Sequence, residues 1–397
     1  MADLESLLKQ AEQELSLDSG TSARYLSPTV LRRIDHILQV YASGKSNLPF
    51  EELIKGLLER VKDRIRFEIQ WTSIPTISTT PIRRPLLVTG LFRSGTTLLY
   101  NLLNADPASR AHAIWELFTI PVPPSHPNDD DPRKLAFDEF LKGYNLHHIH
   151  PVRIDAPEEG IILFGHFDFF ELSWRILNIN SWNSPNMLGD GTTVDMHEMY
   201  QFYRRYLQTL GSVSPPGSHW IMKDPCDLWY LREFFDIFPD ANVVVLNRPL
   251  IEVTPSSLSM FWNLEVGARQ WNSCTKETLG PHHLKVQMEG LQNSARVVSE
   301  MQAAGRGQQV MELEYTDLVN DPIGAVDRIY KQFGYTSSPE MREGMRNWLN
   351  ENPQGKHGKH EYSLAEWGLS EQDIASATQQ LKGVQAQLQS KTNVSYG

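Results

Sequence analysis

Residues 85–100 read Pro85-Leu-Leu-Val-Thr-Gly-Leu-Phe-Arg-Ser-Gly-Thr-Thr-Leu-Leu-Tyr100, and this stretch decides the fold. The apolar and β-branched run Leu86 to Thr89 predicts a short strand. Gly90 opens a tight turn, Gly95 closes it, and a helix is expected from Thr96. Strand, glycine-bounded loop and helix in that order make an anion cradle, because backbone N–H groups and the positive end of the helix dipole converge there. Gly90 and Gly95 stand at the spacing of the nucleotide-triphosphate P-loop, G-x-x-x-x-G-K-[ST]. Thr96 occupies the position of that motif's lysine, and a cation, Arg93, lies inside the loop instead. The anion held there need not be a triphosphate.

Three further apolar runs follow, His219–Lys223, Asn242–Asn247 and Val310–Tyr315. Each precedes a stretch of helical periodicity, at about residues 228–238, 251–262 and 323–333. Strands alternating with helices predict an α/β fold: a three-layer, P-loop-like parallel sheet covered by helices on both faces. Ligands of such sheets bind beyond the carboxyl ends of the strands. Arg93, Asp224, Arg248 and Tyr315 all lie at or just past those ends, so one site could gather them.

Residues 1–80 read as an N-terminal helical region packed on the core. Its signals are Leu31, Ile34, Ile37, Leu38 and Tyr41, then Leu53, Leu57, Leu58, Val61 and Ile65, at helical spacing. Residues 71–84 read as a Thr/Pro/Ile-rich linker. The α/β domain then spans 81–397 and carries a helical insertion at 106–215, on the expected acceptor side. The insertion contains a Pro/Asp-rich loop, Pro121 to Pro132, and a later half rich in rings: Phe164, Phe167, Phe169, Phe170, Trp174 and Trp182. These rings read either as helical core or as the lining of a pocket.

The chain of 397 residues is 40% hydrophobic and 21% charged, the composition of an ordinary globular enzyme. A net charge of −11 argues against bulk nucleic-acid binding. Two cysteines, Cys226 and Cys274, cannot build a disulfide framework or a cysteine-based zinc site, so a reducing, cytoplasmic location is expected. The acidic, amphipathic N-terminus lacks the basic and apolar regions of a signal peptide. No apolar run approaches the ~20 residues of a membrane span. His147, His148 and His150 have no accompanying ligand pattern and read as loop or acceptor-rim histidines, with no metal site expected.

Five phrases, in order along residues 85–370, give the chain its family resemblance. They are the loop itself, Lys223-Asp-Pro-Cys-Asp-Leu-Trp229 with Phe238-Pro-Asp-Ala241, Asn247-Arg-Pro-Leu-Ile-Glu-Val-Thr-Pro-Ser256, Tyr315-Thr-Asp-Leu-Val-Asn-Asp-Pro322 and Tyr362-Ser-Leu-Ala-Glu-Trp-Gly-Leu369. The chain resembles the sulfotransferases that use 3′-phosphoadenosine 5′-phosphosulfate (PAPS) as donor, in the branch whose loop reads P-R-[ST]-G-T-T. The resemblance implies in-line, metal-independent transfer of a sulfuryl group to a hydroxyl or amine of a small organic acceptor, with an apolar or aromatic alcohol favoured by the ring density.

It also implies roles for residues. Arg93 contacts the 5′-phosphosulfate and stabilises the bridging oxygen as it leaves, while Ser94, Gly95, Thr96 and Thr97 supply backbone and hydroxyl donors. The two threonines also read simply as helix caps. Arg248 and Ser256 match the clamp on the donor's 3′-phosphate. The branch usually reads His-Arg-Asp-Pro where this chain has Asn247-Arg248-Pro249-Leu250, so hydrogen bonding after Arg248 differs, Pro249 having no N–H. Tyr315 matches a tyrosine near the adenine, or is a strand-end core residue. Lys356 and Lys359 have the composition of a basic loop over the 3′-phosphate. The position of the histidine base of the cytosolic enzymes holds Pro225. Family members acting on tyrosyl proteins and heparan use a glutamate instead, in the former shortly past a helix end that Arg110 matches, so the resemblance implies Glu116 as the candidate base, followed by Glu158, Glu159 and His166. Two other readings stand beside this one: a P-loop small-molecule or nucleoside kinase, which Thr96 disfavours, and a catalytically inactive nucleotide-binding protein.

Overall fold

The computed structural model describes residues 3–43, 49–118, 131–143, 153–163, 195–263, 275–353 and 363–394. The chain forms two compact units, residues 1–82 with 112–215 and residues 83–111 with 216–397. The segment 112–215 therefore falls in one unit with the N-terminal helices, whereas the sequence grouped 106–215 with the α/β region.

The second unit holds a parallel four-stranded sheet. Its strands are β1 (Leu86–Gly90), β2 (Ile221–Lys223), β3 (Asn242–Asn247) and β4 (Val310–Glu314), in the order β2-β1-β3-β4. All of β1 and β2 is buried, as a sheet covered on both faces requires. The chain passes from β1 to β2 on one side and then crosses to β3 on the other. The crevice of such a sheet lies at that reversal, beyond the carboxyl ends of β1 and β3. Gly90 pairs in register with Leu246, and Asn247 with Glu314, so the loops leaving β1, β3 and β4 start side by side.

Four helices matter for the site: α1 (Thr96–Leu103), α2 (Leu250–Phe261), α3 (Lys276–Ala303) and α4 (Pro322–Phe333). Leu99, Leu103, Val326, Ile329 and Phe333 from α1 and α4 pack with Val88 and Val244 in one core cluster. Inside it the Tyr330 hydroxyl donates to Asp106 at 2.8 Å, and burial with that carboxylate raises its pKa. Helix α3 begins at a capping box between Thr275 and Thr278.

The first unit is helical among its described residues. The helix Phe50–Ser73 buries Leu53, Leu57, Leu58, Val61 and Ile65, the face its periodicity predicts. The expected linker at 71–84 is partly helical: that helix runs to Ser73, and Pro75–Thr79 adds a short one with proline in its first turn. The helix Met196–Val213 is tied to this segment by Gln208, whose Nε2 donates to the carbonyls of Ser78 and Thr80 at 3.0 Å each. Glu68 bridges Arg64 and Arg205 between the two long helices.

Two buried histidines in the second unit make its stability depend on pH. His219 stacks on Tyr335 at 3.8 Å, and burial, helped by the Arg84 charge, pulls its pKa down to about 4. His283 pairs with the Ser257 hydroxyl at 2.7 Å and is pulled down to about 3 by burial and by His282. Both are neutral in the fold and take up a proton near pH 6.5 once unfolded. The unfolded chain then binds more protons than the native one, and stability falls as pH drops from about 6.5 towards 4. At pH 5 the expected loss is about 2 kcal/mol for each histidine. Urea denaturation at pH 7 and pH 5 measures it. His283→Gln should recover about half of the difference, and an unchanged difference would remove His283 from this account.

Candidate active site

The loop from β1 to α1 is shaped by backbone geometry. Gly90 has φ 152°, and a Cβ there would lie 2.5 Å from the Leu246 carbonyl oxygen and 2.8 Å from Ser94 Oγ. Gly95 has φ 99°, and its Cβ would lie 2.8 Å from the Tyr315 ring. Between them Arg93 adopts φ 72°, a left-handed conformation that non-glycine residues rarely hold. The Ser94 N–H donates to the Leu91 carbonyl at 3.0 Å and closes the turn. Thr96 is buried and Thr97 exposed in the first turn of α1. Ser94 is fully buried, and its hydroxyl has no hydrogen-bond partner among the described residues, a cost of about 1–3 kcal/mol unless a ligand or water answers it.

Three strand ends contribute to one cluster. The Arg93 Nε–H donates to Ser256 Oγ at 3.3 Å, linking the loop to α2. Arg248, just past β3, donates from Nη1 to the Arg93 carbonyl at 2.8 Å. Its guanidinium lies 4.2 Å from the centre of the Tyr315 ring, the first residue after β4. Its Nε–H faces Glu252 Oε2 at 3.1 Å. Arg93, Ser94, Gly95, Arg248, Ser256 and Tyr315, each singled out from sequence, are thus brought together. Their surroundings hold them firmly: Phe92 meets Phe261 of α2 edge-on at 5.0 Å. Thr254 and Ser257 of α2 bond to Gln287 of α3 at 2.7 and 3.2 Å. Asp224, also at a strand end, instead accepts from the Cys226 N–H at 2.8 Å and caps the 3-10 turn Pro225–Trp229. The cluster sets two guanidiniums and one carboxylate around the start of a helix, which suits an anion with two charged groups.

The protein-family model for the sulfotransferase family matches residues 85–339. The chain belongs to the sulfotransferase family. Its fold is like that of sulfotransferase STF9 from Mycobacterium avium, with a TM-score of 0.78 and 23% identity, covering 96% of each chain. It is also like that of sulfotransferase STF1 from Mycobacterium tuberculosis H37Rv, with a TM-score of 0.67 and 23% identity, covering 96% of this chain and 99% of the other. No curated protein matches the sequence.

The candidate bases Glu116, Glu158 and Glu159 of this sulfotransferase lie in its first unit. Glu116 is buried in the short helix Ile114–Phe118, and its Oε2 accepts from the Ala113 N–H at 2.9 Å, a helix-capping contact. Arg110, expected near a helix end, lies in an extended segment bridged to Trp220, because α1 already stops at Leu103. Ala113 bridges Pro157, and the Ile114 N–H donates to the Ala156 carbonyl at 3.0 Å. Glu116, Glu158 and Glu159 are therefore carried on adjoining backbones. Glu158 Oε1 accepts from the Glu159 N–H at 2.9 Å. Beside them His112 Nε2 and the Tyr203 hydroxyl form a buried pair at 2.6 Å, which sequence reading did not single out. His166, Lys356, Lys359, the histidines at 147, 148 and 150, and the rings from Phe164 to Trp182 lie outside the described residues. Among the described residues no group of His, Cys, Asp and Glu could hold a metal ion, and no helix is long and apolar enough to cross a membrane.

Glu252 was also missed. Its signal was available, since a carboxylate four residues after an arginine reads as its partner once a helix starts between them.

Proposed function

We propose that the chain transfers a sulfuryl group from PAPS to a hydroxyl or amine of a small organic acceptor. The reading rests chiefly on Arg93 and Ser256, hydrogen-bonded to each other, with Arg248 one contact away, at the reversal point of a parallel sheet. The donor has two anionic ends, and the cluster offers each a guanidinium. Gly90 and Gly95 let the loop close tightly against Leu246 and Tyr315, where a side chain would clash, and the buried Ser94 hydroxyl is unanswered among the described residues. The residues fit the group.

The donor supplies an activated sulfuryl whose sulfur–oxygen bond to phosphate breaks as the acceptor oxygen or nitrogen attacks. Arg93 neutralises the charge that gathers on the bridging oxygen, aided by the N-terminal N–H groups of α1 and the hydroxyls of Ser94, Thr96 and Thr97. Arg248 and Ser256 hold the 3′-phosphate, and Tyr315 backs the guanidinium and lies near the adenine. Lys356 and Lys359 add charge at the same phosphate. The acceptor's proton passes to a carboxylate, for which Glu116 is the candidate, ahead of Glu158 and Glu159. Transfer needs no metal in this scheme, because the two arginines carry the charge role.

Binding experiments test the reading. In magnesium-free buffer 3′,5′-ADP should bind and stabilise the protein against heat, whereas ATP with magnesium should not; the reverse pattern would point to a kinase. Arg248→Ala should weaken 3′,5′-ADP by about tenfold to a hundredfold, the worth of one charged hydrogen-bonded contact. Binding of 5′-AMP should change little. Equal losses for both nucleotides would remove the 3′-phosphate role. A screen of acceptors with labelled PAPS then identifies the substrate class.

A further inference from the structure

Arg248 is committed on three sides before any ligand arrives. Its Nε–H faces Glu252, one Nη1–H bonds the Arg93 carbonyl, and its plane lies against Tyr315. Two of these contacts are neutral and one is ionic. The ionic one joins groups whose side chains are 22% and 48% exposed, the class of pair that contributes little to stability. Removing Glu252's charge would leave the guanidinium held by a backbone carbonyl and a ring. Orientation is therefore not what requires a carboxylate here. Sharing the guanidinium with an incoming anion is where that carboxylate matters.

We infer that Glu252 is a built-in competitor for Arg248, one that weakens the grip on the 3′-phosphate and so hastens departure of the spent nucleotide. The inference rests on the proposed role of Arg248. With the Nε edge taken, the phosphate is left the Nη1–H and Nη2–H groups, and it meets a carboxylate on the far side of the same planar group. Like charges that close repel through the solvent-exposed rim and lower affinity without touching the chemistry at Arg93. Glu252 lies in the first turn of α2. A donor site built only for tightness would have a neutral residue there; a site that must release 3′,5′-ADP at each turnover gains from a counter-anion.

Glu252→Gln tests this, because glutamine keeps an acceptor for the Nε–H and removes only the charge. We expect 3′,5′-ADP to bind about threefold to tenfold more tightly and 5′-AMP to bind as before, measured by calorimetry at low salt. The gain should shrink at high salt, as for any exposed charge effect. In an Arg248→Ala background the gain from Glu252→Gln should shrink, because only direct repulsion of the phosphate is left to relieve. Unchanged or weaker binding in the single variant would overturn the inference and make Glu252 an orienting or merely structural residue. If Arg248→Ala alone leaves 3′,5′-ADP binding intact, the reading of Arg248 fails, a separate result that the same titrations reveal. Equal tightening of both nucleotides would also overturn the inference, since the effect would not pass through the 3′-phosphate.

Discussion

Arg93→Ala should yield a folded protein that still binds 3′,5′-ADP but transfers sulfuryl about a hundredfold to a thousandfold more slowly, the usual cost of deleting a group that stabilises transition-state charge. The structure separates folding from chemistry at this residue. The Arg93 side chain is exposed and its described hydrogen bond is one of 3.3 Å to Ser256, so truncation opens no core cavity. The contact that fixes the loop, Arg248 Nη1 to the Arg93 carbonyl, uses backbone and survives the change. The unfavourable φ of 72° costs alanine no less than arginine, so relief of strain does not mask the loss. Arg93→Lys should recover part of the rate, since it restores charge but not the planar fork. Initial rates with labelled PAPS, beside thermal melts of each variant, measure both halves of the expectation. A rate within threefold of wild type, even with unchanged nucleotide binding, would remove Arg93 from the mechanism.

What sequence alone could reveal followed the reach of local signals. Each strand is a contiguous run such as Asn242-Val-Val-Val-Leu-Asn247, and β3 has those same ends. The donor cluster was legible because topology does the gathering: residues just past neighbouring parallel strands must meet, however far apart in sequence. Helix α3 was not singled out from sequence. Gly280 near its start is there for packing, since a side chain would come within 1.9 Å of the Trp367 carbonyl. Nor could local pattern say that 112–215 belongs with the N-terminal helices. The ties that show it join residues more than a hundred positions apart, as in Gln208 to Ser78 and Arg205 to Glu68. Glu116 shows the limit from the other side. The sequence proposed it as a base, while the described geometry gives its Oε2 a helix-capping bond. A carboxylate that caps a helix and also accepts the acceptor's proton would give up the charge the cap uses, so its two roles are coupled. Glu116→Gln, which keeps the cap's acceptor, would lower transfer without a matching loss of stability if the base role holds.

The loop's two glycines should fail in different ways when given a methyl group. Gly90→Ala is expected to destabilise the protein by about 3 kcal/mol or more, with nucleotide binding lost alongside. Its new Cβ would meet the Leu246 carbonyl oxygen at 2.5 Å, and that atom belongs to β3, paired in register with Gly90 itself. Relief would require β1 and β3 to part where both are buried, which breaks ladder hydrogen bonds and the core beneath them. The second neighbour, Ser94 Oγ at 2.8 Å, belongs to the loop, so any smaller adjustment pushes the cradle out of shape. Gly95→Ala meets a softer obstacle. Its Cβ lies 2.8 Å from a ring carbon of Tyr315, and a half-buried ring can tilt. That ring is also the surface against which Arg248 rests, so tilting it should weaken 3′,5′-ADP more than 5′-AMP while the melting temperature falls less than in Gly90→Ala. Chemical denaturation gives the first comparison and paired nucleotide titrations the second. A Gly90→Ala protein as stable as wild type would mean that β1 and β3 yield at their carboxyl ends, and the rigid cradle argued for Arg93 and Arg248 would lose its foundation.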